Sequence, residues 1–109
     1  MHVLSEAGRF TQPPNGAPRH WAENLHVEAL SVGTYSVPLD GADLQQPHTE
    51  DEIYVVIAGR AELQTPTERV PVGPSSVIYV PAGEPHRFVN LTEPLTVLVV
   101  FAPPEGSRR

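Results

Sequence analysis

Prolines and glycines divide this chain of 109 residues into short apolar runs. The chain has 13 prolines and 8 glycines, and most of them fall between runs rich in valine, isoleucine and tyrosine. Proline and glycine end regular elements, whereas β-branched and aromatic residues favour strands. The pattern therefore predicts an all-β domain with frequent turns, and no segment shows the periodicity of a convincing helix.

The length allows one domain with a single core. Residues 1–19 are rich in proline and polar residues, and we expect them to form an irregular N-terminal arm. Residues 20–102 contain the apolar runs and are expected to form a β-barrel. Residues 103–109 combine proline, glycine, serine and arginine, and we expect them to form a flexible tail.

Charge and composition exclude several classes of function. The net charge of −6 and the pI of about 5.2 argue against a nucleic-acid partner. The chain has no lysine and no cysteine, which rules out a lysine Schiff base, thiolate metal sites and disulfides. It shows no signal peptide and no apolar run of the roughly 20 residues that a membrane helix needs. We therefore expect a cytoplasmic protein that makes no membrane contact.

Two of the predicted strands look apolar on both faces. In residues 52–58, Glu52, Tyr54 and Val56 share one face, and the alternate positions are also apolar. Residues 95–101 are continuously apolar. A strand of this kind is expected to be central in its sheet. Since a small barrel has only one interior, part of its outer surface needs cover, and we expect a homodimer.

Two histidine-containing segments flank these strands. Residues 46–52 read Gln-Pro-His-Thr-Glu-Asp-Glu, and residues 81–86 read Pro-Ala-Gly-Glu-Pro-His. Both histidines stand at a predicted strand edge or turn, where their side chains and a carboxylate can converge. Two imidazoles and one carboxylate are the ligand set of many non-haem iron sites. The sequence predicts a divalent metal bound by His48, His86 and a carboxylate, either Glu50 or Glu52.

These segments resemble the two short motifs of the cupin family. The first motif has two histidines separated by one residue, then a glutamate, then a glycine after six more residues. The corresponding positions here hold Gln46, His48, Glu52 and Gly59. The second motif is matched by Pro81, Gly83, His86 and Asn90, with Ser75 where the motif usually opens with glycine. The resemblance covers roughly residues 30–102.

The resemblance implies a conical β-barrel, that is, a double-stranded β-helix or jelly roll. It also implies one metal ion, which could be iron, manganese or zinc, bound by Gln46, His48, Glu52 and His86. Gln46 replaces a histidine, and its amide oxygen either binds the metal or orients a water or substrate. The motif interval favours Glu52 over Glu50. We expect Glu50 and Asp51 either to belong to a solvated loop or to contact the metal ligands without binding the metal themselves.

The functions implied by the resemblance are those of a metal-dependent enzyme acting on a small organic molecule. The reaction could be a dioxygenation, a decarboxylation or an isomerisation. A dioxygenation would make the protein an oxidoreductase. Tyr54 shares a strand face with Glu52 and is the candidate catalytic residue, as a proton or hydrogen-bond donor. The alternatives are a non-catalytic module that binds or senses a small molecule around a structural metal, and a vestigial site in which Gln46 marks the loss of a ligand. Arg87 is expected to point away from His86.

Overall fold

A computed structural model describes residues 1–43 and 47–107 and confirms the all-β prediction. One 3-10 turn, Pro14–Gly16, precedes the strands, and the described residues contain no α-helix. Nothing in this described part is a helix long and apolar enough to cross a membrane. The eight strands are β1 (His20–His26), β2 (Ser31–Val37), β3 (Asp51–Ala58), β4 (Ala61–Gln64), β5 (Arg69–Val72), β6 (Val77–Val80), β7 (Arg87–Val89) and β8 (Leu95–Ala102).

The strands form two antiparallel sheets. The larger sheet has five strands in the order β1-β2-β8-β3-β6, and the smaller has three in the order β5-β4-β7. Strands that are distant in sequence lie side by side, because β8 pairs with β2 on one edge and with β3 on the other. This arrangement is the jelly-roll barrel that the resemblance implies. It also confirms that β3 and β8 are central strands.

The core consists of inward-facing side chains from both sheets. On β3, Tyr54 and Val56 are 0% and 1% exposed, whereas Ile57 on the opposite face is 44% exposed. The smaller sheet contributes Leu63 and Phe88, both of which are buried. Burying a side chain of this size stabilises the fold by about 1.5–3 kcal/mol. The alternation on β3 means that only one face of this strand is fully buried, so Glu52 lies on the core side.

The N-terminal arm lies along β2. The backbone N–H of Gly8 donates to Thr34 Oγ1 at 2.9 Å, and the N–H of Thr11 donates to Ser36 Oγ at 3.1 Å. The backbone of the arm is therefore hydrogen-bonded to side chains of β2 and not to the backbone of a neighbouring strand. The arm contacts the larger sheet on the side away from the smaller one, near Ile57.

The turn after β3 requires glycine. Gly59 has φ +95°, a conformation that side chains with a Cβ rarely adopt. A Cβ at this position would lie 2.2 Å from the carbonyl oxygen of Pro94. The closing glycine of the first motif therefore allows β3 to pass close to the loop before β8, and this fixes where β3 ends.

Candidate metal centre

Glu52, Tyr54 and His86 meet in the interior of the barrel. Glu52 and Tyr54 are two residues apart on the inward face of β3, and His86 lies immediately before β7. Glu52 Oε1 is 2.9 Å from His86 Nε2, and the Tyr54 hydroxyl is 2.8 Å from the same nitrogen. The side chains of Glu52 and His86 are each only 1% exposed. A carboxylate and a phenol thus lie within hydrogen-bond distance of the same imidazole nitrogen.

The ring of His86 is oriented by the loop before it. Its Nδ1 lies 2.8 Å from the carbonyl oxygen of Glu84, which can only accept a hydrogen bond, so Nδ1 carries hydrogen. Nε2 then faces Glu52 and Tyr54. In the neutral ring Nε2 accepts the hydroxyl hydrogen of Tyr54, and in the protonated ring it donates to the Glu52 carboxylate.

The pKa of His86 is raised above its ordinary value of 6.5. Burial acts in the opposite direction and lowers it, because a charged ring loses hydration in the interior. The hydrogen bonds to Glu52 and to the backbone of Glu84, with the negative charges of Glu52 and Asp43, together outweigh the effect of burial. A metal that binds Nε2 therefore competes with a proton for this nitrogen.

His48 lies beside this group, at the point where the two motif segments meet. Its backbone carbonyl oxygen accepts a hydrogen bond of 2.7 Å from the N–H of Gly83. Its ring packs on Phe101 with centroids 4.7 Å apart, and its Nδ1 is 3.5 Å from Glu105 Oε2. The centroids of the His48 and His86 rings are 6.4 Å apart. The first motif is thus fastened to the turn of the second.

The other two acidic residues of the first motif have different environments. Asp51 Oδ1 accepts a hydrogen bond of 2.8 Å from the N–H of Ala82, which adds a second link between the motifs. Glu50 is 1% exposed and accepts a hydrogen bond from the Thr49 hydroxyl. The expectation that Glu50 lies in a solvated loop is therefore wrong, because its side chain folds inward after His48.

The structure brings some of the predicted site residues together and not others. Glu52, Tyr54 and His86 are in contact, whereas His48 lies further away, beside Glu105. Within residues 1–43 and 47–107, no three His, Cys, Asp or Glu side chains are grouped closely enough to bind one metal. Gln46 lies outside the described residues. The assignment of Gln46, His48, Glu52 and His86 as metal ligands stays a prediction.

One buried atom fits a cation at this position. Glu52 Oε2 is buried and, among the described residues, has no hydrogen-bond partner. A buried carboxylate oxygen without a partner is costly, because it has lost its hydration. A divalent cation shared with His86 would lie next to this carboxylate and satisfy this oxygen. Nitrogen and oxygen donors of this kind suit iron, manganese and zinc.

Sequence reasoning missed a buried carboxylate, Asp43. It is 5% exposed, its Oδ1 accepts from the Tyr35 hydroxyl at 2.7 Å, and its Oδ2 accepts from the backbone N–H of Phe88 at 2.7 Å. Burial, with the charge of Asp43 and the hydrogen bond to it, raises the pKa of Tyr35 well above its ordinary value. Asp43 fixes β7 two residues after His86. Its position in a polar loop gave no signal of this role.

A family model described as the cupin domain matches residues 33–101, which include both histidine segments. The chain belongs to the cupin family. The match extends from β2 to β8 and so covers the strands that position Glu52, Tyr54 and His86. Cupins commonly bind a metal.

Several other proteins resemble this chain in sequence or in fold. An uncharacterized protein of Streptomyces coelicolor is 47% identical over 82 residues, which cover 75% of this chain and 78% of the relative. The structure of KdgF from Halomonas sp. superposes with a TM-score of 0.72 and 19% identity, covering 84% of this chain and 85% of that one. The DMSP lyase DddQ from Ruegeria pomeroyi superposes with a TM-score of 0.73 and 18% identity, covering 90% of this cupin and 57% of that chain. At these identities the two structures show the fold alone.

A groove of about 310 Å³ lies next to the second motif of this cupin. The His86 side chain is only 1% exposed, so little of its ring is open to this groove. Arg87 is exposed along the groove, as expected for a residue that points away from the site. The groove is lined by Pro47, Gln64, Thr65, Pro66, Pro85, His86 and Arg87.

Proposed function

We propose that this cupin binds one divalent metal through His48, Glu52 and His86 and is an enzyme acting on a small organic molecule. The observation that carries the proposal is the buried Glu52–His86 pair, whose second carboxylate oxygen has no hydrogen-bond partner in the described part of the chain. Both side chains lie in the interior of the barrel, where each is only 1% exposed. A strand in such a core ordinarily carries no charge, because a charge is costly there unless it is paired or binds a metal.

The chemistry of the site follows from its donors. Bound iron, manganese or zinc would supply a Lewis acid that polarises a ligand oxygen. Glu52 and His86 would hold it from β3 and from the start of β7, and His48 from the loop before β3. Gln46, two residues before His48, is proposed to contribute an oxygen donor, to the metal directly or through a water.

Tyr54 is the proposed catalytic residue. Its hydroxyl is 2.8 Å from His86 Nε2, and the residue is 0% exposed. A phenol in this position holds a proton in a dry environment, next to the atoms that would bind the metal. It is therefore placed to donate a proton or a hydrogen bond to an anionic ligand. One solved structure with this fold is a DMSP lyase, which supports the view that such a barrel can host catalysis. Dioxygenation, decarboxylation and isomerisation are the reaction classes we propose to test.

A second candidate function is a non-catalytic module with a structural metal. The observation that favours it is the 1% exposure of the Glu52 and His86 side chains. A structural metal site is closed, whereas a catalytic site keeps a position open to water or substrate. The His48 side chain is 12% exposed, so the side of the site next to His48 is the more open one.

The experiment that tests the proposal uses manganese as both ligand and probe. Elemental analysis of protein purified without added metal identifies the resident ion. The metal-free protein is then titrated with Mn(II), and the relaxation rate of water protons is measured. An enzyme is expected to show enhanced relaxation, because an open position lets bound water exchange with solvent. Binding without enhancement would favour a structural metal. If iron, manganese and zinc all fail to bind, the metal centre is wrong.

A further inference from the structure

The segment after β8 returns to the candidate metal centre. Pro104 is buried, and the N–H of Ser107 donates to its carbonyl oxygen at 3.0 Å. The N–H of Glu105 donates to Ser31 Oγ at 2.9 Å, which fastens the segment to the start of β2. These contacts hold residues 104–107 against the barrel, although the sequence suggested a flexible tail.

Glu105 reaches His48 from this segment. Its Oε2 is 3.5 Å from His48 Nδ1, and the two side chains are 22% and 12% exposed. The ring of His48 is held on one side by Phe101, at the end of β8. Glu105 is four positions after Phe101 in the chain, so one short segment lies against both the His48 ring and its Nδ1.

The two nitrogens of an imidazole point in different directions and exchange roles. In the neutral ring one nitrogen carries hydrogen and the other carries a lone electron pair. The group next to a ring nitrogen determines which of the two nitrogens carries the hydrogen. A carboxylate beside Nδ1 accepts hydrogen and cannot donate it. It therefore favours the form of His48 with hydrogen on Nδ1 and the electron pair on Nε2.

We propose that Glu105 is a positioning residue for His48, which holds the ring with hydrogen on Nδ1 and leaves Nε2 to bind the metal. This inference rests on the proposed metal centre. Carboxylates behind metal-binding histidines commonly have this role, and their loss weakens metal binding about 10–100-fold. The separation of 3.5 Å is longer than a usual hydrogen bond, so Glu105 acts on the ring largely through its charge.

The first test needs no metal. Two-dimensional ¹H–¹⁵N spectra of the histidine rings, recorded on metal-free protein at about pH 8.5, distinguish the two neutral forms, since the ordinary imidazole pKa is about 6.5. We expect His48 to carry hydrogen on Nδ1 in the wild type. In Glu105→Ala the population should move towards the form with hydrogen on Nε2. An unchanged His48 spectrum in Glu105→Ala would overturn the proposal, whether or not the protein binds a metal.

The second test is metal affinity, measured by competition with a chelator for zinc. We expect Glu105→Ala to weaken binding about 10–100-fold. We expect Glu105→Gln, which keeps the size of the side chain but not its charge, to weaken binding nearly as much, because Glu105 acts on the ring largely through its charge. The matched control is Glu93→Gln, which removes a carboxylate from an exposed pair with Arg60 and should leave affinity unchanged. Equal affinities of Glu105→Ala and the wild type would overturn the proposal.

A third variant separates positioning from simple anchoring of the segment. Ser31→Ala removes the hydroxyl that accepts from the Glu105 backbone but leaves the carboxylate in the chain. If Glu105 positions the ring, Glu105→Ala should change the His48 spectrum more than Ser31→Ala does. The same spectral change in both variants, with the same fall in melting temperature, would mean that the side chain only anchors the segment and would overturn the proposal.

Discussion

Glu52 is a charged residue at a position where the strand of a barrel core ordinarily carries an apolar side chain. It is 2% exposed, and its neighbour on the same face, Tyr54, is fully buried. Removing one partner of a buried pair leaves an uncompensated charge, which typically costs about 3–5 kcal/mol. Such an arrangement is a weak source of stability. It is better explained by chemistry at the site, where perturbed titratable groups tend to cluster.

Single residues show how far the sequence predicted the site. The alternation along β3 placed Glu52 and Tyr54 on one face, and the structure confirms this because both are buried. The contacts of Asp43 and Glu105 could not be predicted in the same way. Both residues lie in polar segments without periodicity, and their partners are 45 and 57 residues away along the chain. Such tertiary contacts leave no local pattern.

Ser75 provides a prediction about backbone strain. It has φ +75°, and it stands where the second cupin motif usually has glycine. A residue with a Cβ pays roughly 1–2 kcal/mol in this conformation, and glycine does not. We expect Ser75→Gly to raise the free energy of unfolding, measured in urea, by up to about 1 kcal/mol. The larger loss of backbone entropy when glycine folds offsets part of this gain.

The neighbouring serine is the matched control. The Ser76 hydroxyl accepts a hydrogen bond of 3.0 Å from the N–H of Gly73. Ser76→Gly should therefore lower the free energy of unfolding by about 1 kcal/mol. If both substitutions destabilise the protein to the same extent, Ser75 is not strained.

At the scale of elements, the apolar runs of residues 52–58 and 95–101 predicted β3 and β8, and prediction from such runs failed where a strand was short. β5 (Arg69–Val72) was not predicted, because its four residues include Pro71 and only two valines. Proline is tolerated in an edge strand, and β5 is at the edge of the smaller sheet. β7 ends at Val89, because Asn90 has φ +53° and begins the next turn.

The loop before the first motif depends on Asp43. Replacing Asp43 with alanine leaves the Tyr35 hydroxyl and the Phe88 N–H without their acceptor in the interior. Each such group costs about 1–3 kcal/mol, so we expect Asp43→Ala to lower the free energy of unfolding by about 2–4 kcal/mol. Asp40→Ala is the control in the same loop: Asp40 is exposed, and its loss should change stability by less than about 0.5 kcal/mol. Equal effects in urea unfolding would show that the Asp43 contacts contribute nothing.

At the scale of the whole molecule, the larger sheet has an uncovered outer face at one edge. Val77 and Tyr79 on β6 are 65% and 58% exposed, and they pair with Val55 and Ile53 of β3, which are half-buried. The N-terminal arm covers the opposite part of this face, along β2. Adjacent apolar side chains of this kind are typical of an interaction surface, and this is why we predict that the protein forms a homodimer.

Light scattering at micromolar concentration tests the dimer. We expect a dimer for the wild type and a monomer for Tyr79→Glu, because a buried charge at a two-fold interface is repeated in both subunits. Thr67→Glu, in the exposed β4–β5 turn, is the control and should remain dimeric. A monomeric wild type would contradict the proposal.

The pH dependence of stability should differ between the metal-free and the metal-bound protein. Since the pKa of His86 is raised, its protonated pair with Glu52 stabilises the metal-free fold fully below pH 6.5. This contribution is lost as the pH rises through the raised pKa. Metal binding has the opposite dependence, because it requires the neutral ring.

Melting curves with and without a chelator measure this difference. At about pH 8 the chelator should lower the melting temperature, because the metal joins β3 to the second motif. At about pH 5 its effect should shrink, since protons then occupy the imidazoles. A chelator effect that is equal or larger at acid pH would contradict the assignment of histidine ligands.

The central claim is that His48, Glu52 and His86 bind one metal, and a binding titration tests it most directly. Metal-free wild type, Glu52→Gln and the control Glu93→Gln are each titrated with zinc, and the metal bound per chain is measured. Glu52→Gln keeps the shape of the side chain but loses the charge that faces His86. We predict one tightly bound metal per chain for the wild type and the control, and binding at least about a hundredfold weaker for Glu52→Gln. Full, tight binding by Glu52→Gln would place the metal elsewhere and contradict the account.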